Sequence, residues 1–345
     1  MGPTGPILHH APTFTVEEAS RIAHDRYDLI GFAAELPSER DQNFLLTTHS
    51  GEKFILKIAN ATEQRLLLEA QNDAMTHLAS RISFCPRVVL NEAGESLLQV
   101  QSSTSEHFVR LVTFIPGLPL AEVEPTPQLL FNFGRRLGEF SRAISDFDHP
   151  AFHRDFHWDL VNGLRVIDEY SPLVANEELR MQVERCRTAL DKNLDLTSTI
   201  IHGDANNYNV LIQDEDVVGL IDFGDMVYSL RVGDLAIALA YVVLDKMDPL
   251  SSARTVVAGY LSEVELNKDE IELVWPLMLT RLGMSVCIAA HQRMQKPENE
   301  YLDISQRAIR NSLPRLLRVE PKVATGIFLS ADDADYPSDQ TRTTN

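Results

Sequence analysis

The second half of this 345-residue chain reads as helix almost throughout, except for one island over residues 199–228. There the apolar residues fall in short runs, Ile200-Ile201, Val210 to Ile212 and Val217 to Ile221, separated by polar turns. Such runs mark short strands and not an amphipathic helix. Any fold that accepts this chain must therefore set a small β element into a helical body. Its turns carry His202-Gly203-Asp204, then Asn209, then Asp222-Phe223-Gly224-Asp225. Phosphoryl transfer needs little covalent help: a carboxylate to align the attacking hydroxyl, and Mg²⁺ to neutralise the phosphates. Asp204 would face the hydroxyl. Asn209, five positions on, and Asp222, at the end of the next strand, would supply the hard oxygen ligands that Mg²⁺ prefers.

Around this island the chain divides into two units, an α+β organisation. Residues 1–13 read as a flexible lead-in. Residues 14–115 form a small sheet-plus-helix unit. In it, a helix over 14–27 is capped by Thr15, and a hairpin of Asn43–Thr48 and Lys53–Ile58 follows. A helix over 63–79 and strands near 87–90, 97–101 and 108–115 complete it. At Pro116-Gly117-Leu118-Pro119 the pattern changes, and 116–320 is mainly helical, with helices near 130–144, 176–191, 234–246, 250–262, 270–294 and 302–318. Residues 321–345, ending in a polar patternless run, are expected to be a disordered tail.

A formal charge of −19 repels nucleic acid and anionic membrane surfaces and suits a cationic small molecule. Cys85, Cys186 and Cys287 stand about a hundred residues apart, which favours a reduced compartment, and with no secretory pattern at the start a cytoplasmic location is expected. No eighteen-residue run is uninterruptedly apolar.

In the first unit Lys57 lies on a strand, with Phe54, Leu56 and Ile58 on the opposite face. Glu69 on the next helix is the expected partner that would hold its ammonium against nucleotide phosphates; Lys53 sits beside the turn and is the weaker candidate. No G-x-G-x-x-G is present, so Ser38 and Arg40, in the turn before Asn43, are the candidates for phosphate contact. Asp234 opens a helix and is read as its cap, with Arg231 a neighbour. His153-Arg154-Asp155 is followed by an asparagine only at 162, which is the wrong spacing for a catalytic loop. That segment, HRDFHWDL at 153–160 with Trp158 as its anchor, is read as a substrate-side or lobe-packing loop.

The composite of His-Gly-Asp at 202–204, Asn209 and Asp-Phe-Gly at 222–224 resembles the catalytic segment of the aminoglycoside phosphotransferase and choline kinase branch of protein-kinase-like enzymes. That resemblance implies a bilobal protein-kinase-like fold, ATP or GTP as donor and Mg²⁺; the family's matching aspartate at Asp234 braces the catalytic loop. The segments at 39–44, 153–160, 202–211, 221–226 and 285–305 together look like the hydroxylysine kinase family. The likeness implies 5-hydroxylysine, a small cationic hydroxylated substrate, as acceptor. Asp225, with Asp155 or Asp159, would then meet an ammonium and Arg281 a carboxylate, with Trp158 beside them and Asn299 and Tyr301 as looser candidates. Homoserine, choline, ethanolamine or an aminoglycoside are alternative acceptors, and a non-catalytic nucleotide-binding protein is the second alternative.

Overall fold

The computed structural model describes residues 11–38, 40–102, 105–191, 193–295 and 306–331. Thr15 opens the first helix, α1 (Val16–Tyr27). Its hydroxyl accepts the Glu18 N–H while the Glu18 carboxylate takes the Thr15 N–H, which satisfies two otherwise orphaned donors. Then come β1 (Gly31–Leu36), β2 (Gln42–Thr48), β3 (Lys53–Ile58), α2 (Arg65–Ala79), β4 (Val88–Val89), β5 (Leu98–Gln101) and β6 (Glu106–Thr113). They build one antiparallel sheet in the order β1-β2-β3-β6-β4, with β5 also on β6.

The alternation of strand side chains decides what this sheet presents to each side. Leu56 and Ile58 of β3, with Val109 and Leu111 of β6, are buried in a cluster with Ala19, Ala23 and Tyr27 of α1. The opposite parity carries Lys57 and Arg110, which are register partners, to the other face. Covering one face with α1 thus commits Lys57 to the side of the second lobe.

That lobe begins at β7 (Leu118–Pro119) and α3 (Pro127–Ile144), followed by α4 (Gly163–Tyr170) and α5 (Glu177–Glu184). The island folds as β8 (Ser198–Ile201), β9 (Val210–Gln213), β10 (Asp216–Leu220) and β11 (Val227–Leu230). β8 pairs with β11, and β9 lies between β10 and β7, all antiparallel. The chain closes with α6 (Gly233–Val242), α7 (Pro249–Leu261), α8 (Lys268–Gln295), α9 (Gln306–Leu316) and α10 (Pro321–Leu329). By length and composition α8 could cross a bilayer, yet 89% of its most apolar window is buried within the lobe. It is the core helix around which α4, α6 and α10 pack.

Two expectations need correcting, and one strand had not been expected. A helix, α10, stands over 321–329 in place of a tail: Pro321 starts it, and Ala324 and Phe328 are fully buried in the second lobe's core. Strand β1 had no clear signal because half of its residues are exposed and none is fully buried at the sheet edge. The helix placed at 176–191 ends at Glu184, with its apolar face spent on Leu179 and Val183. Residues 1–10, and with them most of the expected lead-in, lie outside the described residues, as do residues 332–345.

α3 and α7 cross backbone to backbone. A Cβ on Gly134 would stand 1.9 Å from the Val256 carbonyl oxygen, and one on Gly259 2.0 Å from that of Phe131. Gly134→Ala must push the helices apart, an overpacking that costs about 1–3 kcal/mol. We expect a melting temperature lowered by several degrees in calorimetry; an unchanged value would contradict this packing.

Candidate active site

The turn between β8 and β9 is held from three sides. The imidazole of His202, fully buried and packed edge-on against Phe140 and Phe223, donates from Nε2 to the Ile221 carbonyl at 3.1 Å and accepts the Asp204 N–H at Nδ1. Burial pushes its pKa down, which keeps it neutral in this tautomer. One ring thereby ties the Asp204 turn to the strand end that carries Asp222. Asp234 accepts the His202 and Gly203 N–H groups, both at 2.9 Å. Gly203 has φ +79°, and a Cβ there would lie 2.3 Å from the Asp225 carbonyl oxygen, so this position requires glycine.

Asp204 has both carboxylate oxygens engaged. Oδ2 accepts from the amides of Asn206 and Asn209, each at 2.9 Å, and Oδ1 from Nη2 of Arg281 at 2.6 Å. Burial pushes the Asp204 carboxyl up from the usual carboxylate range, and the Arg281 charge opposes it. Asn209 gives one amide hydrogen to the Asp204 carbonyl and the other to its Oδ2, so its side-chain oxygen is left to point elsewhere.

Asp222 sits at φ 64°, ψ 81°, a left-handed conformation uncommon for any residue with a side chain. Its carboxylate, half open to the cleft, accepts from Lys57 Nζ at 3.1 Å and more weakly from the Gly224 N–H. The Lys57 ammonium holds it well below the usual carboxylate range. Arg40 crosses from the first lobe to Asp225 at 2.6 Å. Three cation–carboxylate pairs, Lys57–Asp222, Arg40–Asp225 and Arg281–Asp204, thus meet at one cleft.

The phosphotransferase enzyme family profile matches residues 33–265, which takes in both lobes of this cleft. The chain belongs to that family. It is 29% identical over 351 residues to the hydroxylysine kinase of Mus musculus, covering 92% of this chain and 93% of the mouse protein. The homoserine kinase of Gluconobacter oxydans is 29% identical over 264 residues, 73% of this chain and 79% of that one. In fold it is similar to an amicoumacin kinase solved with AMP-PNP, Ca²⁺ and amicoumacin, with a TM-score of 0.69, 14% identity, and coverage of 90% of this chain and 97% of that one. The bilobal protein-kinase-like architecture and the character of a small-molecule phosphotransferase follow.

Within this phosphotransferase the sequence-based pairings are partly redrawn. Glu69 does not reach Lys57; it pairs with Arg65 one turn away at 2.7 Å. The inward face of α2 carries Gln71 instead, which accepts from Arg110 at 2.6 Å and reaches the Gly224 carbonyl at 3.4 Å. The helical spacing held this signal, since Gln71 lies in register with buried Leu67, Ala74 and Leu78 and Glu69 does not. Asp234 is not a cap for α6 but the brace of the turn that carries Asp204, and Arg231 pairs with Glu270.

Asp155 lies away from the cleft, exposed and bound to Arg165 and Asn162. Asp159 is buried, where it caps the Val161 N–H and accepts the Ser229 hydroxyl. Arg154 ties the 153–160 loop to the Gly224 and Met226 carbonyls, a lobe-packing role. Trp158 lies under the Arg281 guanidinium at 4.3 Å, and Arg281 is paired with Asp204 at 2.6 Å. Ser38 is exposed beside Asn43, and Lys53 is exposed over the Phe114 ring. Asn299 and Tyr301 lie outside the described residues. Sequence reasoning missed His157, whose buried Nε2 has no partner and whose imidazole burial pushes down to about 4. It also missed Tyr241, which lies beside the Arg281 guanidinium.

Proposed function

We propose that this phosphotransferase moves the γ-phosphate of ATP or GTP to the hydroxyl of a hydroxy-amino acid, with 5-hydroxylysine the first choice. The observation that carries the transfer is the way Asn209 is committed: both amide hydrogens hold Asp204, which leaves its side-chain oxygen for a cation, while its backbone carbonyl takes the Ile221 N–H at 2.9 Å, one residue before the half-open carboxylate of Asp222. One amide oxygen and one carboxylate are a donor set suited to Mg²⁺, which takes its remaining ligands from phosphates and water. Among the described residues no group of three or more histidine, cysteine or acidic side chains offers a closed all-protein cage. When bound, the ion neutralises phosphate charge.

The protein's own share is orientation. The acceptor O–H donates to Asp204 and its oxygen attacks the γ-phosphorus. The new O–P bond forms as the bond to the nucleoside diphosphate breaks, the diphosphate keeps the electron pair, and the proton passes to Asp204. Lys57 and Arg40 stand where they can meet phosphate oxygens once drawn off Asp222 and Asp225. Release of Asp225 then frees a carboxylate for the acceptor's ammonium, so the two assignments hold in sequence.

The choice of acceptor rests on the likeness to hydroxylysine kinase, which runs through 92% of this chain, against 73% for the homoserine kinase. A screen of diphosphate release with ATP and GTP over hydroxylysine, homoserine, choline, ethanolamine and an aminoglycoside tests it. Highest kcat/KM for hydroxylysine is expected. A higher value for any other acceptor overturns the choice, and no metal-dependent transfer to any of them overturns the reaction.

A further inference from the structure

Arg281 stands near the middle of α8, 77 residues beyond Asp204, and is 2% exposed. A guanidinium so deeply buried is stable only when its charge and donors are matched. Here Nη2 is on Asp204 Oδ1 at 2.6 Å, Nη1 faces the Trp158 carbonyl at 3.4 Å, Tyr241 lies close by, and the Trp158 ring lies beneath at 4.3 Å. Its Nε–H alone is buried without a partner. Held on all these sides, the side chain is not one that swings out to a ligand.

Its effect on Asp204 follows from counting acceptor sites. A carboxylate offers about four lone-pair directions, two on each oxygen. Asn206 and Asn209 take both on Oδ2, and Arg281 takes one on Oδ1. A single direction remains, on Oδ1. Without Arg281 the carboxylate plane would be held at one oxygen only and could turn about its Cβ–Cγ bond.

Resting on the phosphotransfer reading above, we propose that Arg281 is the positioning residue for Asp204: it fixes the carboxylate plane so that the acceptor hydroxyl engages the free direction of Oδ1. Arg281 acts through Asp204 and does not bind the acceptor's carboxylate. Trp158 belongs to the same device because its carbonyl and ring hold the guanidinium in place.

The test compares wild type, Arg281→Gln and Arg281→Lys on 5-hydroxylysine and on the amino alcohol that lacks its carboxylate. Arg281→Gln is expected to lower kcat by about 100-fold, the scale of an ångström's misplacement. The loss is the same for both acceptors, with nucleotide KM little changed. Added guanidinium ion restores part of it, and Arg281→Lys keeps an intermediate rate. If Arg281→Gln does not fold, the Lys variant carries the same two-acceptor comparison. A loss confined to the KM of the carboxylated acceptor, or turnover equal to wild type, overturns the proposal while the proposed function stands. A wild-type protein that phosphorylates neither acceptor overturns the function and this inference with it.

Discussion

Asp204→Asn lowers turnover by about 10²- to 10⁴-fold, the share that a positioned proton acceptor contributes, while nucleotide affinity stays near that of the wild-type protein. The asparagine has nearly the same shape, so the turn braced by Asp234 and His202 remains. What changes is chemistry: an amide cannot take the hydroxyl proton. It also cannot satisfy Arg281 on one side and the amides of Asn206 and Asn209 on the other, because its own NH₂ must face donors on one of them. Steady-state rates with calorimetric nucleotide affinities measure both halves of this expectation. A variant that turns over at nearly the normal rate removes Asp204 from the chemistry.

Asp222→Asn acts on the other half of the site. Asparagine is among the few residues that tolerate the left-handed backbone at φ 64°, so this substitution keeps the turn where most others would strain it. It removes the charge that a hard cation needs and leaves Lys57 without the anionic partner that it has at 3.1 Å. Metal-derived stabilisation of the transferring phosphoryl group is worth several kcal/mol, which corresponds to a rate lowered roughly 10²- to 10³-fold. The half-saturating Mg²⁺ concentration should rise as well, so that added metal recovers part of the rate. A titration of turnover against Mg²⁺ reads this directly, and a curve that matches the wild-type one contradicts the role given to Asp222.

The residues legible in the sequence were those whose chemistry and spacing lie within one short segment. Asp204, Asn209 and Asp222 sit on turns between strands of four or five residues, so their order and spacing are readable from local strand and turn preferences. What failed depended on direction or on distance along the chain. Glu69 and Gln71 are two positions apart on α2, roughly opposite sides of a helix, and only the buried face of α2 reveals which looks into the cleft. Asp234 at the start of a helix has a local use as a cap, and tertiary contact with the Gly203 turn overrode it. Arg281 lies on a helix buried nearly all round, where periodicity carries no facing information; nothing short of the folded lobe places it on Asp204. Conversely α10 was hidden by the polar run that follows it, although Pro321 and the Phe328 side it buries are ordinary helix signals.

The central claim is that these side chains converge on a metal-bound triphosphate between the two lobes. Calorimetric titration of wild type and Asp222→Asn with a non-hydrolysable triphosphate, with and without Mg²⁺, tests it most directly. The account predicts that Mg²⁺ strengthens binding to the wild-type protein by at least about tenfold, 1.4 kcal/mol, and that Asp222→Asn abolishes this gain. Binding that ignores the metal, or a gain that survives in Asp222→Asn, would contradict it.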